Sequence, residues 1–307
     1  MRLVLCVLVA LLTMAQARAP LTTVKIIFTP DDAAMPAIWA QKMGMFERAG
    51  LDVQIEKSRN GTAATAAVMG GAFDIAEGSL IASLNAHVKG LPLQFIAEAG
   101  AYDDKAPNVQ FLVAKDSTIQ TGADLNGKTL GSPALNDLAS LGAKSWVDKH
   151  GGDSTTLQFV EVPASAMGAA LEAHRIAAAS VSSPAAEAAL ATTNVRSLGS
   201  TYAAIAPHFM LGGWFTTAEW ARAHPDVITR FVRVIAEAST YVDAHTTETA
   251  PVLSDFTGVP VAVILKMQRT IHPQTVLRAQ DIQPIIDAAA KYKLIPRAFS
   301  AQELITH

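Results

Sequence analysis

The sequence predicts an α/β fold of two lobes, each a mixed sheet flanked by helices. Three observations carry that expectation. Short β-rich runs alternate with helical stretches, the pattern of a parallel or mixed sheet covered on both faces. The alternation comes as two series of similar size, one before and one after about residue 107. Half of the 307 residues are apolar and only 17% are charged, enough to fill two cores and incompatible with a disordered chain.

The first series opens with the β-rich VKIIFT, starting at Val24. In TPDDAAMPAIWAQKMGMFERAG, Met35, Ile38, Trp39, Met43 and Phe46 recur at helical spacing. Pro36 suits the first turn of that helix and Gly50 its stop. LDVQIEKS then alternates Leu51, Val53 and Ile55 with polar neighbours, and RNGTAATAAVMGG supplies an Ala-rich helix capped by Asn60. FDIAEG followed by SLIASLNAHVKG repeats the unit, and LPLQFIAEAG adds a strand.

The second series begins at VQFLVAKD. ADLNGKTLGSP reads as a turn into a strand around Lys128 to Gly131, followed by the helix ALNDLASLGAKSWVDKHG. LQFVEVP to ASAMGAALEAHR and AAASVSS to PAAEAALA continue the alternation. After FMLGGWFTT the chain turns helical, and AEWARAHPDVITRFVRVIAEASTYVDAH is interrupted only at Pro225. Val227, Phe231, Val234, Ala238 and Tyr241 share one face of that stretch. The remainder reads as helices with joints marked by Pro251, Pro260, Pro273, Pro284 and Pro296.

The opening MRLVLCVLVALLTMAQARA has an early Arg2, an apolar run from Leu3 to Leu12 and small residues at Ala17 and Ala19. That is the pattern of a secretory signal cleaved after Ala19. The run is too short for a membrane span, which needs about 18 to 20 residues. Cys6, the single cysteine, lies inside it, so the exported chain is expected to have no disulfide, thiolate metal site or cysteine nucleophile. The formal charge of −3 becomes more negative without Arg2 and Arg18, and no basic run marks a nucleic-acid or anionic-lipid partner. A periplasmic protein is the expectation.

Functional residues are sought where strands run into helices. In open α/β sheets ligands bind outside the carboxyl ends of the strands, where helix amino ends offer unpaired N–H groups. Small polar residues recur at these joins: Asp31 and Asp32; Asn60, Gly61 and Thr62; Ser79; then Ser132 and Asn136; and Ser182 and Ser183 before Pro184. Two facing sets would enclose one small ligand, although the same residue types also serve as plain helix caps. Arg59 is the one cation next to a first-lobe join, either a partner for an anionic ligand or a solvated strand end. Trp39 lies on the apolar stripe of its helix and reads as core. Trp214, after two glycines, reads equally as a ligand platform or as core.

AIWAQKMGMFERAGLDVQIE followed by GTAATAAVMGGAFDIAEGS resembles the opening of solute-binding proteins of ABC importers. The branch is that of nitrate, taurine, aliphatic-sulfonate and pyrimidine-precursor binders. ADLNGKTLGSPA is similar to its second-lobe opening and AHPDVITRFVRVIAEASTYVDAH to its return helix, so the resemblance runs from Val24 to His245. It implies the type II periplasmic-binding-protein fold, with crossover strands near Asn108 to Val113 and Phe209 to Phe215. It further implies a signal over residues 1–19, a first lobe of residues 20–107 plus 212–307, and a second lobe of 108–211. The implied role is capture of a small organic solute, sulfonate or carboxylate among the candidates, followed by hinge closure and delivery to an inner-membrane ABC permease. The implied site is Asp32, Arg59, Asn60, Gly61, Thr62, Ser79, Ser132, Asn136, Ser182, Ser183 and Trp214. A monomer without a cofactor is expected.

Catalytic patterns point elsewhere. The eight histidines are scattered, without H-x-H or H-E-x-x-H, and no G-x-S-x-G elbow occurs. Gly70 and Gly71 end a helix where a dinucleotide fingerprint would open one. Enzymes on the same fold, the pyrimidine-precursor synthases and porphobilinogen-polymerising deaminases, rely on cysteine chemistry that an exported chain without cysteine lacks. A ligand-sensing module for a membrane receptor is the other reading, with the same closed form.

Overall fold

The computed structural model describes residues 20–59, 61–191, 194–273 and 277–305. The expected signal segment and Asn60 lie outside the described residues. Ten strands are present among the described residues: β1 (Thr22–Phe28), β2 (Leu51–Lys57), β3 (Ile75–Ser79), β4 (Leu93–Asp103), β5 (Val109–Ala114), β6 (Thr129–Ser132), β7 (Gln158–Glu161), β8 (Ala178–Ser182), β9 (Val195–Ser197) and β10 (His208–Thr217). They form two sheets of five, ordered β2-β1-β3-β10-β4 and β7-β6-β8-β5-β9.

Both sheets follow one plan. β1 pairs parallel with β2 and β3, and β6 pairs parallel with β7 and β8. Beside each parallel trio lies an antiparallel strand lent by a passage between lobes: β10 next to β3 and β4, and β5 next to β8 and β9. The chain therefore crosses between lobes twice, after β4 and after β9. These are the two crossovers expected from the sequence, and β10 joins the first sheet from His208 onward, slightly before the expected boundary at 212.

Alternation of side chains across the first sheet gives it two apolar faces. One packs Phe28, Trp39, Phe46, Trp214 and Phe231, the other Leu80, Leu84, Phe95, Phe215 and Ile285. The second sheet does the same with smaller clusters, around Met167 and Leu171 on one face and Phe111 and Trp146 on the other. The long helix Pro225–Ala244 buries Val227, Phe231, Val234 and Ala238, the stripe its spacing required. Trp39 is core as expected, with its ring stacked on Tyr241 at 5.0 Å.

Some local expectations give way to the backbone. The helix read through Phe46 breaks after Met35–Lys42, because Gly44 adopts φ +65, and resumes over Met45–Arg48. The helix read from Ala134 starts only at Leu138: Asn136 takes φ +58 and Asp137 caps the first turn. Pro251 and Pro284 mark no joints; they sit inside the helices Thr246–Thr257 and Ala279–Lys291. Each forfeits one backbone hydrogen bond, offset by buried neighbours such as Val252 and Leu253 in the first and Ile285 and Ile286 in the second. β9, three residues long, is too short to show in the sequence.

Candidate binding cleft

The three joins of the first lobe follow β1, β2 and β3. After β1, Asp31 opens a short 3-10 turn, Asp32–Ala34, by accepting Ala33 N at 3.0 Å, while Thr29 Oγ1 donates to its other oxygen at 2.7 Å. Asp31 is open to solvent but ringed by protein. That surrounding burial raises its carboxyl, the Thr29 bond opposes the rise, and the charge of Asp32 adds to it.

Asp32 faces the other way. It is buried, and its carboxylate takes Arg269 Nε at 2.9 Å, Arg269 Nη2 at 2.6 Å and Thr270 N at 2.7 Å. Its carbonyl accepts His272 Nε2 at 2.9 Å, and His272 Nδ1 meets Asp243 Oδ1 at 2.5 Å. A carbonyl can only accept, so Nε2 carries a proton. Burial alone would lower the imidazolium pKa, but the Asp243 bond and the charges of Asp32 and Asp243 outweigh it and hold the pKa above the ordinary value. The expectation of Asp32 as a solute ligand is therefore corrected: its carboxylate anchors the carboxyl-terminal segment.

The second and third joins meet each other. A Cβ on Gly61 would stand 3.2 Å from Ser79 N, and one on Gly78 would stand 3.6 Å from Gly61 Cα. Backbone thus packs on backbone here, and glycine is what permits it. Thr62 and Arg59 are exposed beside this contact. Ser79 occupies the cap position of helix Leu80–Val88, yet its side chain makes no capping bond. That outcome sets it apart from the ordinary capping role.

In the second lobe the joins follow β6, β7 and β8. Ser132 is fully buried and donates to Asp137 Oδ1 at 2.7 Å, while the same oxygen caps Ser140 N at 2.8 Å. Ser132 thus braces the helix start and offers no group to a solute, which corrects its expected role. Asn136 is exposed in its left-handed conformation, and Ser182 is exposed at the end of β8. Ser183 Oγ donates to Glu187 Oε1 at 2.6 Å, the first turn of helix Ala185–Leu190.

Trp214 is corrected as well. Its register opposite Glu77 on β3 turns it into the core, with Phe28 at 5.6 Å and Phe231 at 5.3 Å between ring centroids. It is fully buried and cannot stack on a solute.

Two acids escaped the reading of the joins. Glu77 lies within β3 and is only 3% exposed, and Glu187 follows β8. The signal for Glu77 was present: an acid inside the otherwise apolar strand of FDIAEGS. Burial, then the like charge of Asp31, pushes its carboxyl well above the usual range. A third acid, Glu98 on β4, is raised to about 7 by burial and by Asp281, with Arg278 opposing.

The lobes touch across the cleft and at the crossings. Gln268 N reaches Glu187 Oε1 at 3.4 Å, and Tyr102 OH donates to Ser200 Oγ at 3.1 Å. His208, at the start of β10, has Nδ1 3.7 Å from Asp103 and Nε2 4.0 Å from Asp281. No group of three or more metal-ligating side chains occurs among the described residues.

The family model described as NMT1/THI5 like matches residues 32–249, most of the two-lobed body. The chain belongs to the NMT1/THI5-like family. Solved structures agree on the fold. The periplasmic aliphatic sulphonate binding protein SsuA from Escherichia coli superposes with a TM-score of 0.78 at 17% identity, over 93% of this chain and 92% of that one. The alkanesulfonate-binding protein SsuA from Xanthomonas axonopodis pv. citri, bound to MOPS, gives 0.76 at 17% identity over 94% and 99%. The periplasmic nitrate-binding protein NrtA from Synechocystis PCC 6803 gives 0.73 at 14% identity over 90% and 83%. No protein with a curated description matches the sequence. This NMT1/THI5-like chain thus has the periplasmic-binding-protein fold, and none of its described helices is long and apolar enough to cross a membrane.

Proposed function

We propose that this NMT1/THI5-like protein is an extracytoplasmic solute-binding protein, exported by a signal cleaved after Ala19. It captures a small organic solute between its lobes, closes about the two crossings and delivers the solute to an ABC permease as a monomer. The observation that supports this reading is the like build of the two sheets, each with three parallel strands that lead into helices. Gly61, Thr62 and Ser79 serve from the first lobe, and Asn136, Ser182 and Ser183 from the second, with Arg59 at the rim. The cleft holds its solute by hydrogen bonds and shape, and no residue in it is assigned a bond-making step.

The test is a thermal-shift screen of the mature chain, refolded to strip carried-over ligand, against amines, amino acids, sulfonates, nitrate, carboxylates and pyrimidines. A solute present at about 100 times its dissociation constant stabilises the folded state by about 2.7 kcal/mol. One chemical class should raise the melting temperature saturably, and the closed form should scatter X-rays with a smaller radius of gyration. A flat response to every class would overturn the reading.

A further inference from the structure

Carboxylate oxygens buried without a hydrogen-bond partner are costly unless something is meant to meet them. Among the described residues, Glu77 Oε2 and Glu187 Oε2 are two such atoms, and they come from opposite lobes. Glu77 lies within β3 and Glu187 in the first turn of the helix that follows β8, and β3 and β8 are the third parallel strands, in chain order, of the two sheets. Glu98 Oε1 is also unpartnered, but that carboxyl already has the Arg278 cation nearby.

A chain of contacts links the two acids from lobe to lobe. Glu187 Oε1 meets Gln268 N, and the next residue, Arg269, clamps Asp32. Asp32 follows Asp31, whose charge reaches Glu77. Directly opposite Glu77 in the sheet stands Trp214, whose indole N–H is also unpartnered. Gly212 lies beside the carboxyl: a Cβ there would stand 3.1 Å from Glu77 Oε1 and 2.7 Å from Gly78 O. No side chain from that position covers the acid.

Two of the nearby cations are spent, and a third, Arg59, is exposed to solvent at its join. Arg269 gives Nε and Nη2 to Asp32 and Nη1 to Thr246 O, and Lys57 Nζ donates to Phe256 O at 2.8 Å. Against these acids stand the helix amino ends, which carry only about half a positive charge each. Helix Ala185–Leu190, at six residues, is among the shortest of them. A cation brought beside Glu77 would oppose the burial that now raises its carboxyl.

We infer that the solute carries a cationic nitrogen, a protonated amine or an amidinium, and that Glu77 from the first lobe and Glu187 from the second are its counter-charges. This deepens the solute-binding reading above and rests on it. It also turns away from the sulfonates and carboxylates that the family resemblance implies. Closure would bring both acids onto one nitrogen centre and give the one unpartnered oxygen of each, Glu77 Oε2 and Glu187 Oε2, its partner.

The experiment is calorimetric titration of the mature protein with 1,4-diaminobutane and benzamidine as cationic probes, and with ethanesulfonate, nitrate and acetate as anionic ones. The expected result is saturable binding of a cationic probe, weakened at least tenfold by Glu77→Gln and by Glu187→Gln. Glu77→Gln is nearly isosteric and removes an uncompensated buried acid, so the unliganded variant should melt no lower than the parent, which separates lost binding from lost folding. Binding of an anionic probe alone would overturn the charge assignment and leave the solute-binding reading standing. Cation binding that both variants retain undiminished would overturn the two roles, and no binding by any probe would overturn both readings.

Discussion

The first joins of the two lobes are built from the same residue types and held in opposite ways. In the second lobe the join closes on itself: Asp137 accepts Ser132 Oγ and Ser140 N, all within one short stretch of chain. In the first lobe Asp32 holds Arg269, 237 residues away, and its carbonyl meets His272, which Asp243 holds in turn. The second lobe is thus closed by local contacts, whereas the first is complete only when the carboxyl-terminal segment returns. The same aspartate can cap a helix or tie off a domain, and which it does depends on partners far along the chain.

Removing the long tie should have the largest effect. Arg269→Ala would leave Asp32 buried without its counter-charge, and breaking a buried pair in this way costs about 3–5 kcal/mol. Urea denaturation followed by tryptophan fluorescence would measure it. A loss below about 1 kcal/mol would break the comparison, because it would mean that the first lobe stands without the returning segment.

A pH titration sharpens the same contrast. His272 is held above its ordinary value of 6.5 by Asp243 and Asp32, so its contribution is complete below that value and is lost as pH rises through the raised one. Glu98 adds a loss of the same sign, between its ordinary 4.5 and about 7. The urea midpoint should therefore fall as the medium is made more alkaline. Above pH 6.5 His272 adds to the slope that the raised carboxyls of Glu77 and Glu98 supply, and His272→Gln should flatten it in part. A variant with the parental slope there would assign the fall to other groups.

What was legible in the sequence depends on how far its causes reach. Period-two alternation in LDVQIEKS and the stripe of Val227, Phe231, Val234 and Ala238 arise from neighbours a few residues apart, and both stand in the structure. The order of joins was legible for the same reason. The burial of Trp214 was not, since it follows from the insertion of β10 between β3 and β4, a pairing that no local pattern announces. Nor was the fate of Asp32, whose partners lie in a helical tail that reads only as helices with prolines. Glu77 was a readable signal of another kind: its acid breaks the apolar rule of a buried strand, and such a break marks a function or a partner.

The smallest effect is expected at the locally closed join, and it gives the comparison its scale. Asp137→Ala removes a helix cap, for which about 0.5–2 kcal/mol is usual, and strands the hydroxyl of fully buried Ser132. Burial raises the Asp137 carboxyl even though Ser140, Ser132 and Ala134 all bond to it, so the site supports a carboxylate only weakly. A neutral acceptor should then serve nearly as well. Asp137→Asn keeps an oxygen for Ser140 N and Ser132 Oγ and should recover most of the loss, whereas at the first lobe Asp32→Asn would leave Arg269 without its charge partner and recover little. Chemical denaturation of Asp137→Ala, Asp137→Asn, Asp32→Ala and Asp32→Asn would measure both pairs. If Asp137→Asn proved as damaging as Asp137→Ala, the second-lobe join would depend on charge as the first does, and the two lobes would differ only in how far away the partner lies.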